Sequence, residues 1–141
     1  MEKVPSMSEK NFWSLFHSHQ PSEVDHQRIE TGSTGRGIPD VNFCHQGGEF
    51  WVELKLVKGR SIDLSPEQVA WHFRRTRAGG KTFIIARDKF DGPRKGKGDI
   101  IYLWHGCDVV QLKKMGLDCP GLVFKAPFDW DLLWMTLMQK T

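Results

Sequence analysis

Between Ile38 and Leu56 the chain alternates apolar and polar residues on both sides of His45-Gln46-Gly47-Gly48. Alternation with period two, broken by a short glycine-containing segment, is the pattern of a β-hairpin. It predicts strands over 38–44 and 49–56. Successive strand side chains point to opposite faces. Val41, Phe43, Phe50, Val52, Leu54 and Leu56 then share one face, and Asp40, Asn42, Glu49, Trp51, Glu53 and Lys55 the other. A turn at Gln46-Gly47, or over 45–48, sets Asp40 directly opposite Glu53, with Lys55 on the same face and diagonal to Asp40. A three-residue loop would instead turn Asp40 into the apolar face, where an unpaired charge is costly.

Two carboxylates facing each other across strands repel, at a cost of up to about 1 kcal/mol. A divalent cation removes that conflict. Mg²⁺ takes oxygen ligands, commonly one or two carboxylates with water and phosphate, and it stabilises charge on a phosphoryl oxygen. The backbone carbonyl of Leu54 points near the same place and is a candidate third ligand. Lys55 is placed to orient or deprotonate a water, or to neutralise developing charge. The plain alternative is an amphipathic hairpin with a solvated polar face, since Asp, Glu and Lys are common on such faces.

Around the hairpin the expected elements follow from caps and breakers. Ser6 to Glu9 reads as a capping box opening a helix that carries Phe12, Trp13 and Phe16 and runs to about His19, before Pro21. Thr31 to Gly37 is a glycine-rich loop that lacks the Gly-Lys-Ser/Thr end of a phosphate-binding loop. Ser65 caps a second helix with Pro66 at its first position and Gln68 completing a capping box; Val69, Ala70 and Phe73 give it an apolar side, and Gly79-Gly80 ends it. Thr82 to Ala86 reads as a buried strand, so that strand, helix and strand form a crossover unit. Residues 88–98 read as a loop, Asp99 to Trp104 as a strand that 109–112 could pair with, and Asp129 as the cap of a last helix with Leu132, Leu133, Leu137 and Met138.

The 141 residues, 39% hydrophobic and 26% charged, suit one soluble domain over 1–141. No apolar run approaches a membrane span and the first ten residues lack a signal-peptide core, so no membrane partner and an intracellular location are expected. Cys44, Cys107 and Cys119 are odd in number and widely spaced, which argues against a disulfide framework or a structural zinc site. The six histidines show no metal-ligand spacing and are expected mostly at the surface. Net charge is only +3, yet His72 to Gly98 holds nine basic residues against two acidic ones. Such asymmetry suits a polyanion held against one face; the plain alternative is a solvated helix and loop.

Pro39-Asp40, followed at a strand's length by Glu53-Leu54-Lys55, resembles the PD-(D/E)XK nuclease signature. Gly37 to Val41, Trp51 to Lys55, Ser65 to Gln68, and Gly79-Gly80 before an apolar strand are similar to the VRR-NUC and archaeal Holliday-junction-resolvase branches. The likeness covers roughly residues 28–87. It implies an α/β, restriction-endonuclease-like fold, with a central mixed β-sheet flanked by helices and often dimeric. It implies a Mg²⁺- or Mn²⁺-dependent deoxyribonuclease, with branched, Holliday-junction-like DNA the leading substrate. By position, Asp40 and Glu53 would hold the metal, Lys55 would be the catalytic lysine, and Gln68 would lie near the centre. A first-helix acid is common in the family; Glu9 is the candidate and Glu30 its rival. Arg28, Arg36, Arg74, Arg75, Arg77, Lys81, Arg94, Lys95 and Lys97 would hold phosphates. Trp51 could stack on sugar or base or pack against the first helix. The competing readings are a catalytically inactive DNA-binding module and an accessory subunit with a nuclease fold.

Overall fold

The computed structural model describes residues 8–29, 37–93 and 96–139. A central mixed sheet runs in the order β1 (Asp25–Arg28), β2 (Val41–His45), β3 (Gly48–Lys58), β5 (Thr82–Gly92), β6 (Gly96–His105) and β7 (Leu122–Lys125), and a two-residue β4 (Ser61–Ile62) pairs with β3 off that path. Only the β3–β5 pairing is parallel. It is joined through helix α2 (Pro66–Arg77), as the strand–helix–strand pattern predicts.

The alternation that defines the hairpin also divides the two cores. Val41, Phe43, Phe50, Val52 and Leu54 pack with Phe83, Ile85, Ile101 and Leu103 under α1 (Glu9–Ser18) and α4 (Trp130–Met138), which contribute Phe12, Phe16, Leu133, Trp134 and Leu137. On the opposite face, Ile84, Ala86 and Trp104 pack with Ile62, Leu64 and with Val109 and Leu112 of α3 (Val109–Met115). Fully burying one such side chain stabilises the fold by roughly 1.5–3 kcal/mol, so both faces of the sheet are anchored by apolar packing.

The β2–β3 register is the expected one: Val41 pairs with Val52 and His45 with Gly48. Gln46 (φ 50°) and Gly47 (φ 80°) both occupy the left-handed region, as a two-residue hairpin turn of the primed type demands. The start of α2 also matches. Ser65 Oγ accepts from Gln68 N, and Gln68 returns the bond to the Ser65 N–H.

Several expectations are corrected. The first helix is capped by Ser8, whose side chain accepts from Asn11 N, so Glu9 is the first helical residue and has no capping-box role; Ser6 lies outside the described residues. Residues 88–98 are not a loop. They extend β5 and β6 into a long hairpin, with Asp88 paired to Ile100 and Gly92 to Gly96. Residues 109–112 belong to α3 rather than to a strand. The strands β1 and β7, at the two edges of the sheet, carry too little alternation to be read from sequence. Among the described residues, no helix is long and apolar enough to cross a membrane.

Candidate active site

Asp40 ends the stretch leading into β2, where the register extends to Glu53. Its backbone is held by the Ile29 N–H bonding to the Asp40 carbonyl at 2.9 Å. Its carboxylate accepts from the Leu54 N–H at 2.7 Å. The N–H and C=O of an extended residue lie on the same strand edge, so the Leu54 carbonyl also opens on the Asp40 side. The preceding loop is clamped from below: at Gly37 (φ +76°) a Cβ would lie 2.2 Å from the Glu67 carbonyl oxygen. Only glycine permits that approach, which ties the Asp40 loop to the first turn of α2.

Glu53 is 2% exposed, on the face covered by α2. Gln68 Nε2 donates to its Oε1 at 3.1 Å, while Gln68 Oε1 accepts from the Ser65 N–H. One amide therefore both closes the helix cap and orients the acid, so the two roles expected of Gln68 coexist. Burial, then the hydrogen bond and charge of Asp40, push the Glu53 carboxyl up to about 10, with Lys55 opposing and Glu9 adding to the rise. These effects favour the protonated form of the Glu53 carboxyl. Two facing acids, one of them buried, are a site in search of positive charge.

A hollow of about 250 Å³ opens at this point, lined by Glu9, Lys10, Trp13, Arg28, Asp40 and Leu54. It brings the first-helix acid, the edge-strand arginine and the hairpin together. Lys10 and Trp13 were not anticipated, although Trp13 lies one helical turn from Glu9. Glu30, the rival acid, lies outside the described residues. Among the described residues no three His, Cys, Asp or Glu side chains converge as a metal-ligating group. The ready donors are thus the Asp40–Glu53 pair and the Leu54 carbonyl, with Glu9 on the wall. Two larger hollows among the described residues, of about 390 Å³ near His45 and Lys81 and about 440 Å³ near Phe73, contain no facing acids.

The basic residues do not form one surface. Arg74, Arg75 and Arg77 lie exposed in the last turn of α2. Arg87 is buried and forms a two-pronged ion pair with Asp99, its Nη2 lying 2.6 Å from the carboxylate. Lys97 sits far out on the β5–β6 hairpin opposite Asp91. Lys81 donates to the Gln139 carbonyl, and partial burial lowers its pKa. Arg28 stacks over Trp13 at 4.3 Å. Arg36, Arg94 and Lys95 lie outside the described residues.

On the apolar side of α2, Val69 packs against the core cluster of Ile84 and Trp104 while Phe73 is 44% exposed. Gln68, Trp71, His72 and Arg75 recur at helical spacing and turn toward the sheet, a pattern that apolar periodicity alone passes over. His72 is fully buried, contrary to a surface role, with its ring nitrogen 2.9 Å from Thr82 Oγ1. Burial lowers its pKa to about 4. Trp51 packs against Trp71 of α2, ring centroids 5.3 Å apart, rather than against the first helix. The three cysteines are free.

Comparison of the sequence with protein-family models and with curated proteins finds no match. Among solved structures the chain is similar to Hjc, a Holliday junction resolvase from the archaeal hyperthermophile Archaeoglobus fulgidus, with 15% identity over 88% of each chain and a TM-score of 0.47.

Proposed function

We propose that this chain is a single-domain, restriction-endonuclease-like deoxyribonuclease of the PD-(D/E)XK type that hydrolyses phosphodiester bonds with Mg²⁺ or Mn²⁺, most readily in branched DNA. The observation that carries the reading is the Asp40–Glu53 pair, two acids that the β2–β3 register sets face to face with Glu53 buried. The fit to a divalent cation follows from that chemistry. A dication would relieve the burial penalty on Glu53, and the donors present are the hard oxygens such an ion prefers. Asp40, Glu53 and the Leu54 carbonyl would hold it, with Glu9 on the wall of the hollow. When bound, it would stabilise charge on the phosphoryl oxygen and acidify water.

The chain's own groups supply the rest. Gln68 fixes the Glu53 carboxyl, and the Leu54 N–H fixes Asp40, so neither has to reorganise during the reaction. Lys55, on the same strand face as Glu53, offers an ammonium to a water proton or to developing charge. Arg28, stacked on Trp13 beside the hollow, is placed for a phosphate oxygen. A homodimer belongs to the same reading; Leu122 and Val123 on the edge strand and Leu132 and Met135 on α4 expose apolar surface that a second copy would cover.

The test incubates the protein with linear, flapped and four-way DNA, with and without Mg²⁺ or Mn²⁺, beside Asp40→Asn and Lys55→Ala. Cutting that requires the cation and disappears in both variants, with DNA binding retained, is the expected result. Equal cutting by wild type and variants would overturn the assignment.

A further inference from the structure

Two residues before Glu53 on the same strand face stands Trp51, at roughly 7 Å along the strand. It meets Trp71 of α2 edge to face, ring centroids 5.3 Å apart. The Arg75 guanidinium lies over both indoles, 5.5 Å from the Trp51 ring and 5.3 Å from that of Trp71. Both tryptophans are only partly buried and Arg75 is exposed, so the cluster opens to solvent beside the acid pair. Arg75 has no carboxylate partner among the described residues, where the ion pairs are Lys58–Asp63, Arg60–Asp118 and Arg87–Asp99. Its side chain is nevertheless held. The Gly80 N–H donates to the Arg75 carbonyl at 2.9 Å, and a Cβ at Gly80 would meet Arg75 Cγ at 2.8 Å. The glycine leaves room for the arginine stem, and the two indoles align its planar head.

A partly open pair of indoles topped by an unpaired guanidinium is built for a flat, electron-rich partner carrying negative charge. A nucleobase with its phosphate has that chemistry, and aromatic stacking captures any base without regard to sequence. A base inside a duplex is already stacked and cannot enter. We infer that Trp51, Trp71 and Arg75 form a stacking subsite for one unpaired nucleobase next to the cutting centre. The inference rests on the nuclease reading and sharpens it. The substrate is a strand with an unstacked nucleotide beside the scissile phosphate, as at a flap, gap or junction, and continuous duplex is a poor fit.

The test measures binding in EDTA, so that no cutting occurs, with tryptophan fluorescence and anisotropy as readouts. A short oligothymidylate is compared with an abasic oligonucleotide of the same length and charge. Wild type should bind oligothymidylate roughly ten-fold more tightly and show quenched indole emission, as loss of one base–aromatic stack predicts. Trp51→Leu should bind the two probes alike. Arg75→Lys retains the charge and should also lose most of the base preference while keeping the salt dependence, and because Arg75 is exposed this variant guards against misfolding in the first. Wild type binding both probes equally, without quenching, overturns the inference even if cutting depends on Asp40. Base-dependent binding without any cation-dependent cutting would sustain the subsite and refute the nuclease reading instead.

Discussion

Replacing Glu53 with Gln should stabilise the cation-free protein, and the gain should grow with pH. The folded chain holds the Glu53 proton up to a pKa of about 10, against an ordinary value of 4.5. A group whose folded pKa is raised contributes its full stability below the unfolded pKa and loses it as pH climbs toward the folded one. Above pH 4.5 the unfolded chain releases a proton that the folded chain keeps, which costs about 1.4 kcal/mol per pH unit. At pH 7 this amounts to about 3 kcal/mol, or roughly 10 °C in melting temperature for a chain of this size. Glutamine is isosteric and never ionises. Its oxygen can still accept from Gln68, and its amide can donate to Asp40 where the acid's proton did. Urea unfolding in EDTA from pH 4.5 to 8.5 is the assay. Wild type and variant should coincide near pH 4.5 and diverge steadily above it, and Mn²⁺ at pH 8 should stabilise wild type far more than the variant. Parallel curves across the range would refute the raised pKa of the buried Glu53 carboxyl.

Three further outcomes follow from other parts of the molecule. His72, buried and neutral with its pKa lowered to about 4 from 6.5, should cost stability as pH falls from 6.5 toward 4, by about 3 kcal/mol in all; in a Glu53→Gln background, His72→Gln should flatten that acid limb of the unfolding profile. Gln46→Gly should raise stability by about 1 kcal/mol, because a non-glycine residue in the left-handed region carries roughly that strain; an unchanged urea midpoint would count against it. Asp99→Ala leaves the Arg87 guanidinium without its partner in a site where their side chains are 9% and 19% exposed, and should cost roughly 3 kcal/mol, whereas a loss under 1 kcal/mol would show that water reaches the arginine.

What sequence revealed and what it hid have the same physical origin. The β2–β3 register could be read because one slip would bury Asp40 and expose Val41, so a single sign error is intolerable. Gln68 could be read because its cap is local. The β5–β6 hairpin could not. Beyond Arg87 it runs outward from both cores, and residues such as Lys89, Asp91 and Lys97 face water, so no apolar alternation marks it. The inward side of α2 was legible only in part, because Val69 packs inward as its apolar character suggests but Gln68, Trp71 and His72 turn inward beside it without an aliphatic pattern. The basic stretch is contiguous in sequence but scattered in space: Arg87 is spent inside on Asp99, and the α2 arginines and the hairpin lysines leave opposite ends of the site strand. Asp40 and Glu53 were legible as partners, but the raised Glu53 pKa depends first on the depth of burial, which sequence does not report.

Gln68 makes helix position and acid geometry a single variable. Its amide is fastened to the helix start and to Glu53 at once, while Arg75 stands seven residues further along the same helix, about 10 Å away. If the proposed subsite takes a base, a pull on Arg75 would reach the Glu53 carboxyl through that one helix. Under that proposal, holding the polymer and aligning the acid would be one movement, and a molecule held in the wrong place would meet a centre that is out of true.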